Sequence, residues 1–217
     1  MKVVYTGHHA GHDPLQFIVR GRMVRSNERP ERASLLLDAA RAAGHDIVAP
    51  EDHGPGPRAA IHTPAYLRFL ETAWARWQAL GDASDEVMPN LHPFPGQPFT
   101  YPDSIVGQAG YHLGDNACSI GRHTWEAACW SAHVATEAAR RVQQGERAVY
   151  ALCRPPGHHA YADRASGFCF LNNAAIAAEI LRQRFGRVAI LDFDTHHGDG
   201  TQALFYRRDD VFFGSSH

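Results

Sequence analysis

The chain has 217 residues, of which 44% are hydrophobic and 20% are charged, and its formal net charge is −2 at pH 7. This length and composition fit one globular domain, residues 1–217, with a substantial core, and they exclude a disordered or fibrous chain. The nearly neutral charge provides no basic surface for nucleic acid or an anionic membrane, so we expect neither as a partner.

The amino-terminal sequence and the cysteines predict the compartment. Met1 and Lys2 run straight into a predicted strand without the apolar segment of a signal peptide, and no window approaches 18 apolar residues. The four cysteines form no CxxC pair and lie in apolar surroundings, which favours small core residues over metal ligands: Cys118, Cys129, Cys153 and Cys169. We therefore expect a reduced, cytoplasmic protein.

Hydrophobic periodicity and turn residues predict an alternation of strands and helices. Strands are predicted at 2–5, 46–49, 148–152, 187–191 and 211–214. Helices are predicted at 31–43, 64–80, 104–120, 124–143, 172–185 and 201–206, with a Gly/His/Asp-rich loop after the first strand. The helix at 64–80 should start at an N-cap, Thr63, followed by Pro64, and its Trp74 and Trp77 are interpreted as packing residues.

The segment 81–103 stands apart from these elements. It contains five prolines in 23 residues and shows no periodicity, which makes it long for a loop within a compact domain. Loops of this length are usually functional or mobile, so we treat 81–103 as an insertion loop.

Two polar clusters follow predicted strands and carry the chemistry. Residues 191–200 read LDFDTHHGDG and residues 154–160 read RPPGHHA. Asp194 and His196 stand two apart, so in extended backbone they project to the same side, and oxygen plus nitrogen ligation suits Zn²⁺ or a related divalent metal. Two His–His pairs at two strand ends favour a shared metal site over an ordinary acidic loop. Other histidines are expected to be exposed rather than ligating: His8, His9, His12, His45, His53 and His92.

The motifs RPPGHH, GFCFLNNAAIAA (167–178) and ILDFDTHHGDGTQALFY (190–206) resemble the histone deacetylase and acetylpolyamine amidohydrolase family, most closely its acetylpolyamine branch. The resemblance implies a zinc-dependent amidohydrolase that removes acetyl groups from acetylpolyamines or acetyl-lysine-like amines. Asp194 and His196 match two of the three family zinc ligands. His158 and His159 match the tandem catalytic histidines that deprotonate water and protonate the leaving amine. Asp192 matches the partner of His158, and Asp199 the partner of His159, where many acetylpolyamine relatives have Asn.

The resemblance also implies roles for neighbouring residues. Gly167 and Phe168 match the wall of the substrate tunnel, although a Phe in this motif is equally typical of a core. An inner monovalent-cation site, usually for K⁺, is implied at Asp192, the backbone carbonyls of Asp194 and His196, and Ser215. An outer one is implied through backbone oxygens of Phe205, Arg208 and Val211. His197 is expected to support the site without a catalytic role, and the 81–103 loop to shape the active-site mouth and a dimer contact.

Two departures from the family pattern weaken these expectations. Where the acetylpolyamine branch tends to place carboxylates that hold a cationic amine, this chain has Val106 and Ala117, with Asp103 and Asp115 nearby as substitutes. The third zinc ligand, an Asp, and the oxyanion-stabilising Tyr of the family lie beyond the equivalent of residue 217. We therefore expect a chain equivalent to the amino-terminal two-thirds of the family domain, with weak or absent activity.

The implied fold is a three-layer α/β/α parallel sheet of the arginase/deacetylase type, incomplete because its carboxyl-terminal strands are missing. In the family order 2-1-3-8-7-4-5-6, the absent strands 7 and 8 would separate strand 148–152 from strand 187–191. Either these two strands pair directly, or a second copy covers their edges, which predicts a homodimer or higher oligomer. Two further readings stay open: a catalytically inactive deacetylase-like binding module, and an arginase-type metal hydrolase, which the motif layout disfavours.

Overall fold

The computed structural model describes residues 1–93 and 100–217. Within them, the strands are β1 (Lys2–Val4), β2 (Gln16–Val19), β3 (Arg22–Arg25), β4 (Asp46–Val48), β5 (Val149–Ala151), β6 (Val188–Asp192) and β7 (Val211–Ser215). The helices are a short 3-10 helix (Gly7–Gly11), α1 (Glu31–Ala42), α2 (Gly56–Ala59), α3 (Pro64–Gln78), α4 (Ile105–His112), α5 (Thr124–Gln143), α6 (Asn173–Arg182) and α7 (Asp199–Phe205). All five predicted strands are present, and no strand end is shifted by more than one residue.

Two parallel sheets form the centre of the fold. The first has the order β4-β1-β5, and Val3 and Val4 on its middle strand are completely buried. The second joins β6 to β7 in parallel register, so that Asp192 lies opposite Ser215. Among the described residues β5 and β6 are not hydrogen-bonded to each other. The parallel pairing within both sheets confirms the predicted parallel α/β fold. Direct pairing of strand 148–152 with strand 187–191, one of the two predicted alternatives, is wrong.

Helices cover these sheets through apolar faces. On α1, Ala33, Leu37 and Ala40 share one face and pack with Val3 and Leu152. The helix α3 begins as its sequence predicts, since the Thr63 hydroxyl accepts the N–H of Tyr66 at the capped end. Both of its tryptophans pack against the main core cluster, in agreement with the packing interpretation. Among the described residues no helix is long and apolar enough to span a bilayer.

Two local predictions were wrong. The loop expected after β1 contains an antiparallel hairpin, β2–β3, whose turn residues Arg20 and Gly21 have φ of 50° and 76°. This left-handed turn suits a two-residue hairpin, but Arg at its first position gives a weak sequence signal. The helix predicted at 104–120 ends at His112 because a turn follows, in which Asp115 accepts the N–H of Ala117.

The insertion loop is described in part, since residues 94–99 lie outside the described residues. At its start, Ser84 and Asp85 accept hydrogen bonds from the indole N–H groups of Trp77 and Trp74. Val87 then pairs with Ile120 in an antiparallel bridge. The first part of the loop is therefore anchored on α3.

The burial of the cysteines agrees with the sequence prediction, whereas that of two histidines does not. All four cysteines are free thiols; Cys118 and Cys169 are buried and the other two are half-buried, as expected of core residues. His9 and His12, expected to be exposed, are 4% and 2% exposed. The guanidinium of Arg154 donates to the carbonyl groups of both and forms an ion pair with buried Glu28, which holds this segment inside the protein.

Candidate functional site

The loops that follow β5 and β6 bring two histidine–aspartate pairs together. Nδ1 of His158 lies 2.9 Å from Oδ2 of Asp192, and Nδ1 of His159 lies 2.6 Å from Oδ1 of Asp199. The two imidazole rings are adjacent, with centroids 4.0 Å apart. Since each Nδ1 faces a carboxylate, it carries the proton, and each Nε2 is left to exchange a proton with water or substrate.

Glycines let these loops approach each other closely. A Cβ atom at Gly198 would lie 2.1 Å from Oδ2 of Asp192 and 3.2 Å from Nδ1 of His158. A Cβ atom at Gly167 would lie 2.3 Å from Cδ2 of His159. Both catalytic candidates therefore pack directly against glycine backbone, and neither position has room for a side chain.

The predicted metal pair, Asp194 and His196, forms on the exposed side of this loop. Oδ1 of Asp194 lies 3.3 Å from Nδ1 of His196 and accepts the backbone N–H of the same residue at 2.8 Å. The backbone N–H of His196, followed by the nearby His158 and His196 rings, lowers the pKa of the Asp194 carboxyl. The side chain of Asp194 is 53% exposed and that of His196 is 76% exposed.

These two donors fit adjacent positions around a zinc ion. Two atoms at about 2.1 Å from a tetrahedral metal are about 3.4 Å apart, close to the separation of this carboxylate oxygen and this imidazole nitrogen. Within residues 1–93 and 100–217, however, no three His, Cys, Asp or Glu side chains are placed to hold a metal together. The described part of the chain thus offers two candidate zinc ligands and no third.

Asp199 sits in a network of hydrogen bonds. Partial burial raises the pKa of its carboxyl, but hydrogen bonds from His159 and Tyr161 outweigh this and lower the pKa overall. Its second oxygen receives the Tyr161 hydroxyl at 2.9 Å. Burial, together with this bond, raises the pKa of Tyr161 to about 12, so the hydroxyl stays protonated and donates. Asp199 is therefore an ionised acceptor.

The predicted tunnel residues line the same cavity as the two dyad histidines. A cavity of about 460 Å³ is lined by six of the predicted residues, namely His158, His159, Gly167, Phe168, Asp194 and His196. Phe168 has φ of 68°, a left-handed conformation that is unusual for an aromatic residue, and its ring packs edge-on against Phe17 of β2.

Asp115 accepts hydrogen bonds that hold the turn at Ser166 and Gly167 in place. One of its oxygens accepts the N–H of Gly167 at 2.8 Å and the hydroxyl of Ser166 at 2.9 Å. Val106 packs against the main core cluster, while Asp103 is exposed and Ala117 half-buried. Of the two carboxylates suggested as substitutes, Asp103 is exposed and Asp115 is half-buried.

The expected cation sites fall around β7. Ser215 is the register partner of Asp192, and the N–H of Ser216 donates to the Asp192 carbonyl at 2.9 Å. A cavity of about 560 Å³ next to it is lined by His197, Phe205, Arg208, Val211 and Ser215 among others. The ring of His197 contacts the Gln202 side chain and lies tilted beside the ring of His217, with centroids 4.9 Å apart.

Sequence reasoning missed two residues that support the site. The Tyr161 hydroxyl contacts Asp199, and buried His62 holds the Tyr161 carbonyl through its Nδ1 at 2.9 Å. Burial lowers the pKa of His62 to about 4, so it is neutral. The position of Tyr161, two residues after the His pair, is the one sequence signal that pointed to it.

A parallel α/β fold in which two half-buried His–Asp pairs lie beside an exposed Asp–His pair is the arrangement expected of a deacetylase-type protein. The chain belongs to the histone deacetylase family, since the model of the histone deacetylase domain matches residues 26–217.

Individual relatives agree with this assignment. The chain is 51% identical to an acetylpolyamine amidohydrolase of Burkholderia pseudomallei over 207 residues, which cover 95% of this chain and 60% of the relative. It is 44% identical to acetylpolyamine amidohydrolase 1 of Pseudomonas aeruginosa, covering all of this chain and 64% of that one. It thus spans somewhat under two thirds of the length of these relatives.

Solved structures give the same result for the fold. The crystal structure of an acetylpolyamine aminohydrolase from Burkholderia pseudomallei superposes with a TM-score of 0.95 at 48% identity, over 100% of this chain and 63% of that one. The HDA15 HD domain, at 23% identity and a TM-score of 0.73, shares the fold.

Proposed function

We propose that this chain is part of a zinc-dependent amidohydrolase that removes acetyl groups from acetylpolyamines or acetyl-lysine-like amines. It supplies the residues that transfer protons in this reaction. The observation that carries the proposal is the cavity lined by His158 and His159, each paired with an aspartate behind it, together with Asp194 and His196. The similarity to acetylpolyamine amidohydrolases supports the substrate class.

In this mechanism the chain's own residues carry out the proton transfers. With Nδ1 of each imidazole donating to an aspartate, Nε2 of one histidine accepts a proton from the attacking water. The second histidine, as an imidazolium stabilised by its own aspartate, donates a proton to the leaving amine nitrogen. Gly167 and Phe168 would line the path of the extended substrate stem. A zinc ion held by Asp194 and His196 would supply Lewis-acid polarisation of the amide carbonyl.

The assignment has three further parts: a cation site, a location in the cell and an oligomeric state. We propose K⁺ at the Asp192–Ser215 end of β6 and β7, through backbone and side-chain oxygens. We also propose a cytoplasmic location, which the four free thiols support. A homodimer or higher oligomer is supported by exposed apolar side chains on β6 and β7 and directly after β6: Leu191, Phe212 and Phe193.

The experiment that tests the function is turnover of acetylputrescine and of a fluorogenic acetyl-lysine peptide, with zinc added and measured. Because the described residues supply two zinc ligands, we expect weak turnover that Asp194→Ala abolishes. An exposed aspartate outside the site, Asp38, provides the matched control Asp38→Ala, which should change nothing. Turnover that survives Asp194→Ala would contradict the proposal.

A binding module without catalysis is the second candidate, favoured by the strong exposure of the Asp194–His196 pair. It predicts binding of an acetylated amine without release of acetate, in the same assay and with zinc present. The arginase-type alternative has no support from the described residues, which offer no cluster of bridging carboxylates.

A further inference from the structure

The two dyads differ in how their aspartates are held. The side chain of Asp192 is 11% exposed and is confined by Gly198 and by the N–H of Asp194, which donates to its Oδ1 at 3.1 Å. The side chain of Asp199 is 41% exposed. An exposed carboxylate exchanges protein partners for water easily, so the orientation of Asp199 needs a further constraint.

The Tyr161 hydroxyl supplies that constraint. It lies 2.9 Å from Oδ2 of Asp199, while Oδ1 receives His159 Nδ1 at 2.6 Å and the N–H of Gly200 at 2.9 Å. An ionised carboxylate only accepts hydrogen bonds, so Tyr161 is the donor. Rotation of the carboxylate plane would break bonds at both oxygens together.

Tyr161 is itself fixed from the core. Its backbone N–H donates to the Arg164 carbonyl at 2.8 Å, and its carbonyl accepts from His62 Nδ1. His62 adopts one tautomer here. Its Nε2 accepts the N–H of Asn172 at 3.0 Å, which leaves the proton on Nδ1. A continuous set of bonds thus runs from a buried histidine through Tyr161 to Asp199.

We propose that Tyr161 is a positioning residue, whose hydroxyl orients Asp199 so that His159 keeps its proton on Nδ1 and presents a free Nε2 to the cavity. The proposal rests on the proposed role of the His159–Asp199 dyad and adds the residue that orients it. Tyr161 does not itself touch the reacting atoms.

The test follows imidazole protons in the 217-residue chain labelled with ¹⁵N at histidine, by NMR near neutral pH with no substrate. Loss of one hydrogen bond to a charged group in Tyr161→Phe should make the His159 Nδ1–H exchange with water roughly five- to tenfold faster. The Nδ1–H of His158 should be unaffected and serves as an internal reference.

The matched control is Tyr206→Phe, which removes a hydroxyl from a tyrosine that is 75% exposed and makes no hydrogen bond to any described residue. It should leave both signals unchanged. Equal exchange of His159 in Tyr161→Phe and the unmodified chain would overturn the proposal. Equally accelerated exchange of the Nδ1–H protons of His158 and His159 in Tyr161→Phe would also overturn the proposal, because it would indicate that the whole site has become more mobile.

A double-substitution cycle separates orientation from packing. In Asp199→Asn the side-chain amide donates to the Tyr161 oxygen, so adding Tyr161→Phe removes a neutral hydrogen bond in place of a charge-assisted one and should have about half the effect that it has in the unmodified background. An equally large effect in both backgrounds would overturn the proposal.

If Tyr161→Phe does not fold, the Tyr161 hydroxyl proton of the unmodified chain gives the answer. A slowly exchanging resonance supports the donated bond, and one in free exchange overturns it. None of these measurements uses turnover, so the absence of deacetylase activity would refute the proposed function and leave this result standing.

Discussion

At the scale of single residues, the site depends on close approach between loops, and Gly198 gives the sharpest test. Gly198→Ala places a methyl group where Asp192 Oδ2 now lies, so the carboxylate must turn away from His158. We expect the free energy of unfolding to fall by about 1–3 kcal/mol. The measurement is urea denaturation, with Gly186→Ala as the control, because a Cβ atom at Gly186 meets nothing within 4 Å. Equal stability of the two variants would show that Asp192 is not confined.

A second prediction at this scale concerns pH. Burial lowers the pKa of His62 to about 4, against 6.5 in the unfolded chain. As pH falls below 6.5 the unfolded state binds a proton first, so stability decreases between pH 6.5 and about 4 and is constant with respect to this group above and below that window. The size of the effect is about 3 kcal/mol.

Denaturation midpoints at several pH values check this. His62→Gln, which does not titrate, should show a shallower loss of stability on acidification than the unmodified chain. The exposed His92 gives the control His92→Gln, whose pH dependence should match that of the unmodified chain. Identical slopes in all three proteins would refute the assignment to His62.

At the scale of elements, the β2–β3 hairpin contacts the turn at Gly167 and Phe168 through one pair of aromatic rings. The rings of Phe17 and Phe168 have centroids 5.4 Å apart at an angle of 76°. A double-mutant cycle of Phe17→Ala and Phe168→Ala should give a coupling of about 0.5–1.5 kcal/mol in the unfolding free energy. Ile18 points to the other face of the hairpin, so Ile18→Ala should show no coupling to Phe168. Coupling of equal size for both would mean that the hairpin acts through general packing.

At the scale of the whole molecule, the two sheets leave apolar surface between and beside them. A cavity of about 630 Å³ separates β5 from β6 and is lined by Ala151, Cys153 and Ile190 among others. Leu191 on β6 is 70% exposed. Because unpaired strand edges with apolar side chains favour association, we expect a dimer or higher oligomer at micromolar concentration.

Sedimentation velocity measures this directly. Leu191→Lys should shift the chain toward the monomer, because a charge at the contact must be desolvated. Leu35 on α1 is exposed to a similar degree, 72%, so Leu35→Lys is the control and should not change the sedimentation coefficient. A stable monomer of the unmodified chain would refute the prediction.

The sequence by itself predicted five of the seven strands among the described residues, most helices, and the candidate residues of the dyads and the Asp–His pair. These features are local: strands are short apolar runs, and the chemistry lies in motifs whose residues are a few positions apart. Thr63 as a helix cap and Asp194 with His196 as neighbours follow from chain geometry alone.

Only the tertiary structure decided which distant residues meet. The contact of Tyr161 with Asp199 joins residues 38 positions apart, and that of Asp115 with Gly167 joins residues 52 apart. Burial of His9 and His12 depends on Arg154, more than 140 positions away. The separation of β5 from β6 likewise depends on how whole sheets are placed. Such contacts leave no periodic signal, because no local property of either partner requires the other.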